Sequence, residues 1–338
     1  MSAAQNATGS SDAMIAAEPA RTRRREELAG LVQRHGALAV LVLVVVVSSF
    51  VFSGFGSFGN LSNVVVDQSF LAIVALGMTF VIISGGIDLS VGSVFALGGV
   101  VAAWGSQYGV VVALLCPLLL CGAIGLLNGL LVARAGMAPF IVTLASLLGA
   151  RGLLLALSDE GQTTYKVPAD GLFRELGRDV AGVNVSVWVA LVLFVVLGVV
   201  LTRTSFGQSV FALGGSEDAA SLMGLRVTRV KTIVYVLSGV LAGLAGALNA
   251  AWVSSGVTIL GTGMELDVIA AVVIGGTLLV GGAGSVVGTA AGVLLLGVIQ
   301  NLINQVGSLN SSIQAVVSGA FLIVVVVLQT VLSRTRRL

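Results

Sequence analysis

The sequence predicts an all-α polytopic membrane protein with about ten transmembrane helices, and three observations carry that reading. Hydrophobic residues make up 57% of the 338 positions, and charged residues only 9%. A soluble surface wants about 25–35% charged residues, so this chain could not cover itself in water. Apolar runs close to the roughly 20 residues that span a bilayer recur along its length. The 45 glycines are too many for isolated helices but suit helices packed closely in lipid.

Residues 1–36 read as a disordered cytoplasmic tail, small and polar at first, then basic at Arg21, Arg23, Arg24 and Arg25. A cleaved signal peptide would bring its apolar stretch nearer the start. Residues 37–332 read as one transmembrane domain, with apolar runs at 37–55, 62–84, 90–105, 109–133, 139–157, 185–202, 231–254, 266–282, 285–306 and 313–332. The third and eighth are short and bounded by glycine, which marks broken or partial spans. Residues 333–338 form a basic tail. Two polar excursions interrupt the series. Residues 159–184 hold Asp159, Glu160, Asp170, Glu175 and Asp179, with a short helix expected around 169–176. Residues 203–230 hold a helical patch at their centre.

Cytoplasmic loops collect Lys and Arg. With both termini inside, 13 of the 17 basic residues fall on the cytoplasmic side: Arg21, Arg23, Arg24, Arg25, Arg34, Arg134, Arg203, Arg226, Arg229, Lys231, Arg334, Arg336 and Arg337. Lys166, Arg174 and Arg178 fall outside, and Arg151 lies within the membrane.

Several chemistries are excluded. His35 is the only histidine, so a His-based zinc cluster cannot form. Cys116 and Cys121 fall on different faces of one apolar run and read as packing residues. Neither Lys166 nor Lys231 sits in a Gly-x-x-x-x-Gly-Lys loop, so the chain has no phosphate-binding motif and is expected to bind no cofactor. No feature points to nucleic acid.

The segment Gly85-Gly86-Ile87-Asp88-Leu89-Ser90-Val91-Gly92-Ser93 is polar punctuation between two lipid-compatible runs. An Asp at the bilayer centre costs about 2.5–3.5 kcal/mol on insertion scales. Non-helical backbone at that depth needs protein or water around it. Asp88 is therefore expected at a helix break near a membrane surface or in a protein-lined cavity. A weaker echo, Gly275-Gly276 before Gly284-Ser285-Val286, hints at duplicated halves.

In the inner excursion, Ser216 is a plausible N-cap and Glu217 and Asp218 suit the first helical turn. Ala219, Leu222 and Met223 would share an apolar face, and Gly224 would end the helix. Helices that lie on lipid usually carry Lys or Arg on the polar face. This one is acidic, which favours a protein partner. Farther on, Thr262 and Glu265 have capping-box spacing for the eighth helix, with Asp267 within its first turns. Asp67, Gln68, Phe70, Thr143, Arg151, Asn301 and Asn304 are candidates for a polar path through the membrane, the alternative being bonds to neighbouring helices. Gly125 and Gly129, and Gly284, Gly288 and Gly292, are small-residue stripes for helix contact.

The segment from Gly85 to Ser93 resembles a signature of ribose-type carbohydrate permeases, the membrane subunits of ATP-driven (ABC) importers. Asp218-Ala219-Ala220-Ser221-Leu222-Met223-Gly224 is similar to the Glu-Ala-Ala-x-x-x-Gly coupling helix of such permeases, with Asp in place of Glu. Gly261–Thr277 resembles their second signature. The likeness runs from about residue 38 to the end. It implies a dimerising, multi-pass subunit of the bacterial plasma (inner) membrane that opens alternately to each side. It also implies three kinds of partner: a cytoplasmic ATPase that uses ATP-Mg, an extracytoplasmic sugar-binding protein docking near 159–184, and a second permease. The ATPase would dock on Glu217, Asp218, Ala219, Ala220 and Gly224. Gly85, Gly86, Asp88, Ser90, Gly92, Ser93, Glu265 and Asp267 would be signature or gating residues. Ser221–Gly224, Val273–Leu279 and the Ile299-Gln300 region are most similar to the permeases of galactofuranose importers, which pair two different permeases. Two rivals stand beside this reading. One is an ion-gradient-driven carrier using Asp67, Asp88, Arg151 and Asp267 as a relay. The other is an ABC permease for branched-chain amino acids or nucleosides.

Overall fold

The computed structural model describes residues 37–305 and, beyond them, positions 316, 319, 320 and 323. The predicted tails and most of the apolar run at 313–332 lie outside the described residues. The described chain is a helical bundle. Its helices are α1 (Ala37–Val51), α2 (Phe58–Ile83), α3 (Val91–Gly105), α4 (Val110–Ala133), α5 (Pro139–Leu157), α6 (Leu172–Glu175), α7 (Val185–Arg203), α8 (Ser205–Gly215), α9 (Glu217–Leu222), α10 (Val227–Val253), α11 (Met264–Ile274) and α12 (Val286–Gln305). A two-stranded hairpin, β1 (Asp179–Val180) and β2 (Val183–Asn184), precedes α7.

Six of these helices, α2, α4, α5, α7, α10 and α12, are long and apolar enough to cross a membrane. The protein is thus a polytopic all-α membrane protein. Burial separates the six. The most apolar windows of α2 and α10 are 89% and 72% buried, whereas those of α5 and α7 are only 22% and 17% buried. Two core helices are therefore wrapped by helices whose outer apolar faces suit lipid.

Local chemistry sets several helix ends. Ser57 accepts a hydrogen bond from the Asn60 N–H at the start of α2, and Asn184 does the same for Ser186 at the start of α7. Pro139 opens α5, where its missing N–H costs nothing. Glycine then sets the packing. Gly125 and Gly129 of α4 lie against the α10 backbone at Tyr235 and Thr232, and Gly288 and Gly292 of α12 lie against Gly275, just past the end of α11, and Ala271 within it. Such contacts let backbones approach closely enough for dispersion to act between them. Cys116 and Cys121 are unbridged, with Cys121 buried.

Three sequence expectations are corrected. The eighth run does not continue to 282: α11 ends at Ile274, because Gly275 and Gly276 turn the chain out of the helix. The Thr262–Glu265 capping box does not form. Gly263, at φ +78°, occupies the N-cap instead, and Thr262 donates to the Ile259 carbonyl. The excursion at 203–230 holds two helices rather than one central patch, since α8 precedes α9 and buries Val210 and Leu213.

Candidate functional site

Two helix breaks and the α8–α9 segment meet in one place. At the end of α2 the Gly85 N–H donates to the Ile82 carbonyl and the Gly86 N–H to the Val81 carbonyl, with Gly85 at φ +81°. This is a Schellman closure, and it needs a left-handed residue that glycine adopts without strain. The end of α11 repeats it. Gly276 (φ +92°) donates to Val273 and Thr277 to Val272. The two breaks touch through a hydrogen bond from the Gly282 N–H to the Ile83 carbonyl, 2.9 Å long. Gly214, at the end of α8, closes over that bond. A Cβ on Gly214 would collide with the Ile83 carbonyl and the Gly282 nitrogen.

Asp88 lies in the first break and is 1% exposed. Its Oδ1 accepts from the Ser90 N–H (3.0 Å) and the Ser90 hydroxyl (2.6 Å), and its Oδ2 accepts from Ser238 of α10 (2.8 Å). Asn128 of α4 donates to Ser90 Oγ at 3.2 Å, and Ser146 of α5 donates to Asn128 Oδ1. The Ile87 carbonyl accepts from Tyr235 (3.3 Å) and Thr143 (3.4 Å). The Asp88 carboxylate, the Ser90 hydroxyl and the Ile87 carbonyl thus find partners within the break or on α4, α5 and α10. Unpaired, each such group would cost about 1–3 kcal/mol.

The other signature residues sit close by. Gly92 lies against the Gly261 carbonyl and the Glu265 carboxylate, where a Cβ would be 2.8 Å from Glu265 Oε2. Ser93 is buried in α3, and Asp267 is partly exposed on α11. Arg151 reaches from α5 to the Thr258 carbonyl (2.8 Å) and the Leu260 carbonyl (3.1 Å), holding the segment between α10 and α11.

The α9 helix stands at the surface. Ser216 accepts from the Ala219 N–H at 3.3 Å, Glu217 and Asp218 fill the first turn, and Gly224 leaves the helix at φ +80°. Ala220 is fully buried and roots the helix, whereas Leu222 and Met223 are 89% and 70% exposed. Glu217 is paired with Lys231 of α10 at 2.6 Å. The helix is thus acidic and capped, with two large apolar side chains exposed at its end.

The path candidates divide into two groups. Phe70 is buried, 5.5 Å from the Trp252 ring, and Thr143 is fully buried. Gln68 meets Gln300 at 3.4 Å, and Asn301 exchanges two 3.0 Å hydrogen bonds with Asn60. These amides join α2 to α12. Asp67 and Asn304 are exposed. The sequence reading missed Tyr235, Ser238, Asn128, Ser146, Asn60 and Gly214. Asn128 and Ser238 do stand out as polar residues within apolar runs, which was the available signal.

A paired break, a buried carboxylate and a presented helix describe a transporter subunit, and comparison with known proteins decides the family. The family profile described as "Branched-chain amino acid transport system / permease component" matches residues 60–326. The chain belongs to this permease family. The permease is 40% identical over 310 residues to the ribose import permease protein of Escherichia coli K12, covering 90% of this chain and 95% of the relative. It is 38% identical over 309 residues to the Bacillus subtilis ribose import permease protein, covering 90% and 95%. It is 36% identical over 305 residues to the fructose import permease protein of Bifidobacterium longum, covering 87% and 89%. No solved structure matches it.

Proposed function

We propose that this permease is the membrane-spanning subunit of an ATP-driven importer that moves a monosaccharide of the ribose type into the cytoplasm. The observation that carries the reading is similarity over nearly its whole length to the ribose import permeases. An extracytoplasmic binding protein delivers the sugar, and a second permease, identical or not, completes the pathway. ATP-Mg is bound and hydrolysed by a separate cytoplasmic ATPase. This chain offers that partner the α9 surface around Asp218, Leu222 and Met223.

Ten spans with both termini in the cytoplasm put α9 on the ATPase side and the excursion at 159–184 on the binding-protein side. The signature residues of the breaks then act in gating. Nucleotide-driven movement of α9 shifts the helices that meet there, while Asp67, Glu265, Asp267 and Asn304 stand as polar groups toward the path.

The test is a mild-detergent pull-down from native membranes, comparing the wild type with Glu217→Arg/Gly224→Arg. Co-purification of an ATPase with the wild type and its loss in the variant support the reading. An intact wild-type chain that captures no ATPase turns the assignment toward an ion-driven carrier. The family's description names branched-chain amino acids, which stand as a second ligand class. Competition of uptake by ribose or by leucine separates the two.

A further inference from the structure

We infer that one face of α10, bearing Lys231, Tyr235 and Ser238, is the link that carries docking at α9 to the Asp88 break. The inference rests on the function proposed above and names residues that the docking contact itself does not include. Positions i, i+4 and i+7 fall on one side of a helix, spread over about 10 Å of its axis. Each of the three grips something outside α10, in order along the stripe. Lys231 Nζ holds Glu217 of α9 at 2.6 Å, Tyr235 donates to the Ile87 carbonyl at 3.3 Å, and Ser238 donates to Asp88 Oδ2 at 2.8 Å.

Two further observations favour a mechanical role. Among the described residues there are two ion pairs, and the other, Glu175–Arg178, is local to one turn. The pair at Lys231 is therefore the one that ties separate elements together. Tyr235 and Ser238 are buried, at 1% and 0% exposure, so their bonds face no competition from water. The helix between these grips is itself held rigid, with Gly125 and Gly129 of α4 seated on its backbone at Tyr235 and Thr232. A displacement of α9 must therefore either break the ion pair or move α10 and the break together. Tyr235 and Ser238 are positioning residues on this account, since they act through the Ile87 carbonyl and Asp88.

The test uses the complex purified with its own ATPase, in a Cys116→Ala/Cys121→Ala background carrying Leu89→Cys as a reporter in the break. The expected wild-type behaviour is a several-fold change in maleimide labelling of the reporter when ATP-Mg is added. Tyr235→Phe removes one hydroxyl and keeps the ring. It should leave ATPase co-purification and basal hydrolysis unchanged while cutting the ATP-dependent change in labelling to less than half. With ATPase co-purification verified in each sample, Glu217→Lys and Lys231→Glu should each cut it too, and the double swap should restore it. A reporter blind to ATP-Mg in the wild type overturns the inference. So does a full response in Tyr235→Phe, or a double swap no better than either single change. If Tyr235→Phe fails to reach the membrane, the charge swap decides alone. Failure to capture any ATPase with the wild type is a different result and defeats the proposed function instead.

Discussion

At the end of α2 and again at the end of α11 the chain leaves its helix by the same pair of hydrogen bonds, but the segments that follow are furnished differently. Between Ile83 and Val91, Asp88 gathers Ser90 and Ser238, and no buried polar side-chain atom there lacks a partner. Between Ile274 and Val286 there is no carboxylate, and the fully buried Thr277 hydroxyl is left without a partner. A shared backbone solution therefore does not imply a shared energetic one. The first break is tied by side chains to α4, α5 and α10. The second is held mainly through backbone, by glycine contacts and by its bond to Ile83.

The comparison can be broken most severely at the first break. Asp88→Ala leaves three buried donors unpaired, and we expect a loss of about 3–5 kcal/mol, read as absence of folded protein on size-exclusion chromatography in detergent. Asp88→Asn, which retains one acceptor oxygen, should recover part of that material. Gly214→Leu attacks the contact between the two breaks. Forcing a side chain onto the Ile83 carbonyl should cost about 1–3 kcal/mol, lowering the melting temperature followed by tryptophan fluorescence. Thr277→Val sharpens the contrast from the other side. Exchanging an unpaired buried hydroxyl for a methyl of similar shape should stabilise by up to about 1 kcal/mol, whereas Ser238→Ala should destabilise. Lys231→Ala should have the smallest effect on stability, under about 1 kcal/mol, because Glu217 is 54% exposed and its charge is screened.

Several features that depend on nearby residues were legible in the sequence. Composition placed the chain in lipid, Gly85-Gly86 marked the first break, and Ser216 with Gly224 bounded α9. The Thr262–Glu265 pattern failed locally because Gly263 takes a left-handed conformation that starts α11 one residue later. The α8 helix was missed because its short apolar spacing ends in Gly214-Gly215, which looks like a loop until Gly214 is seen against Ile83. The partners of buried polar groups were the least accessible. Asn60 and Asn301 are 241 positions apart, and Asp88 and Ser238 are 150 apart. Nothing in either segment alone distinguishes an amide that lines a path from one that joins two helices.

The chain of bonds leading into Asp88 has a direction. Its Oδ1 accepts the Ser90 N–H and the Ser90 hydroxyl, so that hydroxyl's one proton is committed. Asn128 must then offer Ser90 its NH2 side, which turns its oxygen toward Ser146 and makes that hydroxyl a donor as well. One acceptor thus sets the orientation of groups on three further helical segments, and neighbours polarised in the same sense reinforce one another. The network has a single proton arrangement where a row of hydroxyls and amides without a terminus would have two. A carboxamide at position 88 would keep its oxygen on the Ser90 N–H and turn its NH2 to Ser238, so only the Ser238 hydroxyl would reverse and the order through Asn128 and Ser146 would persist.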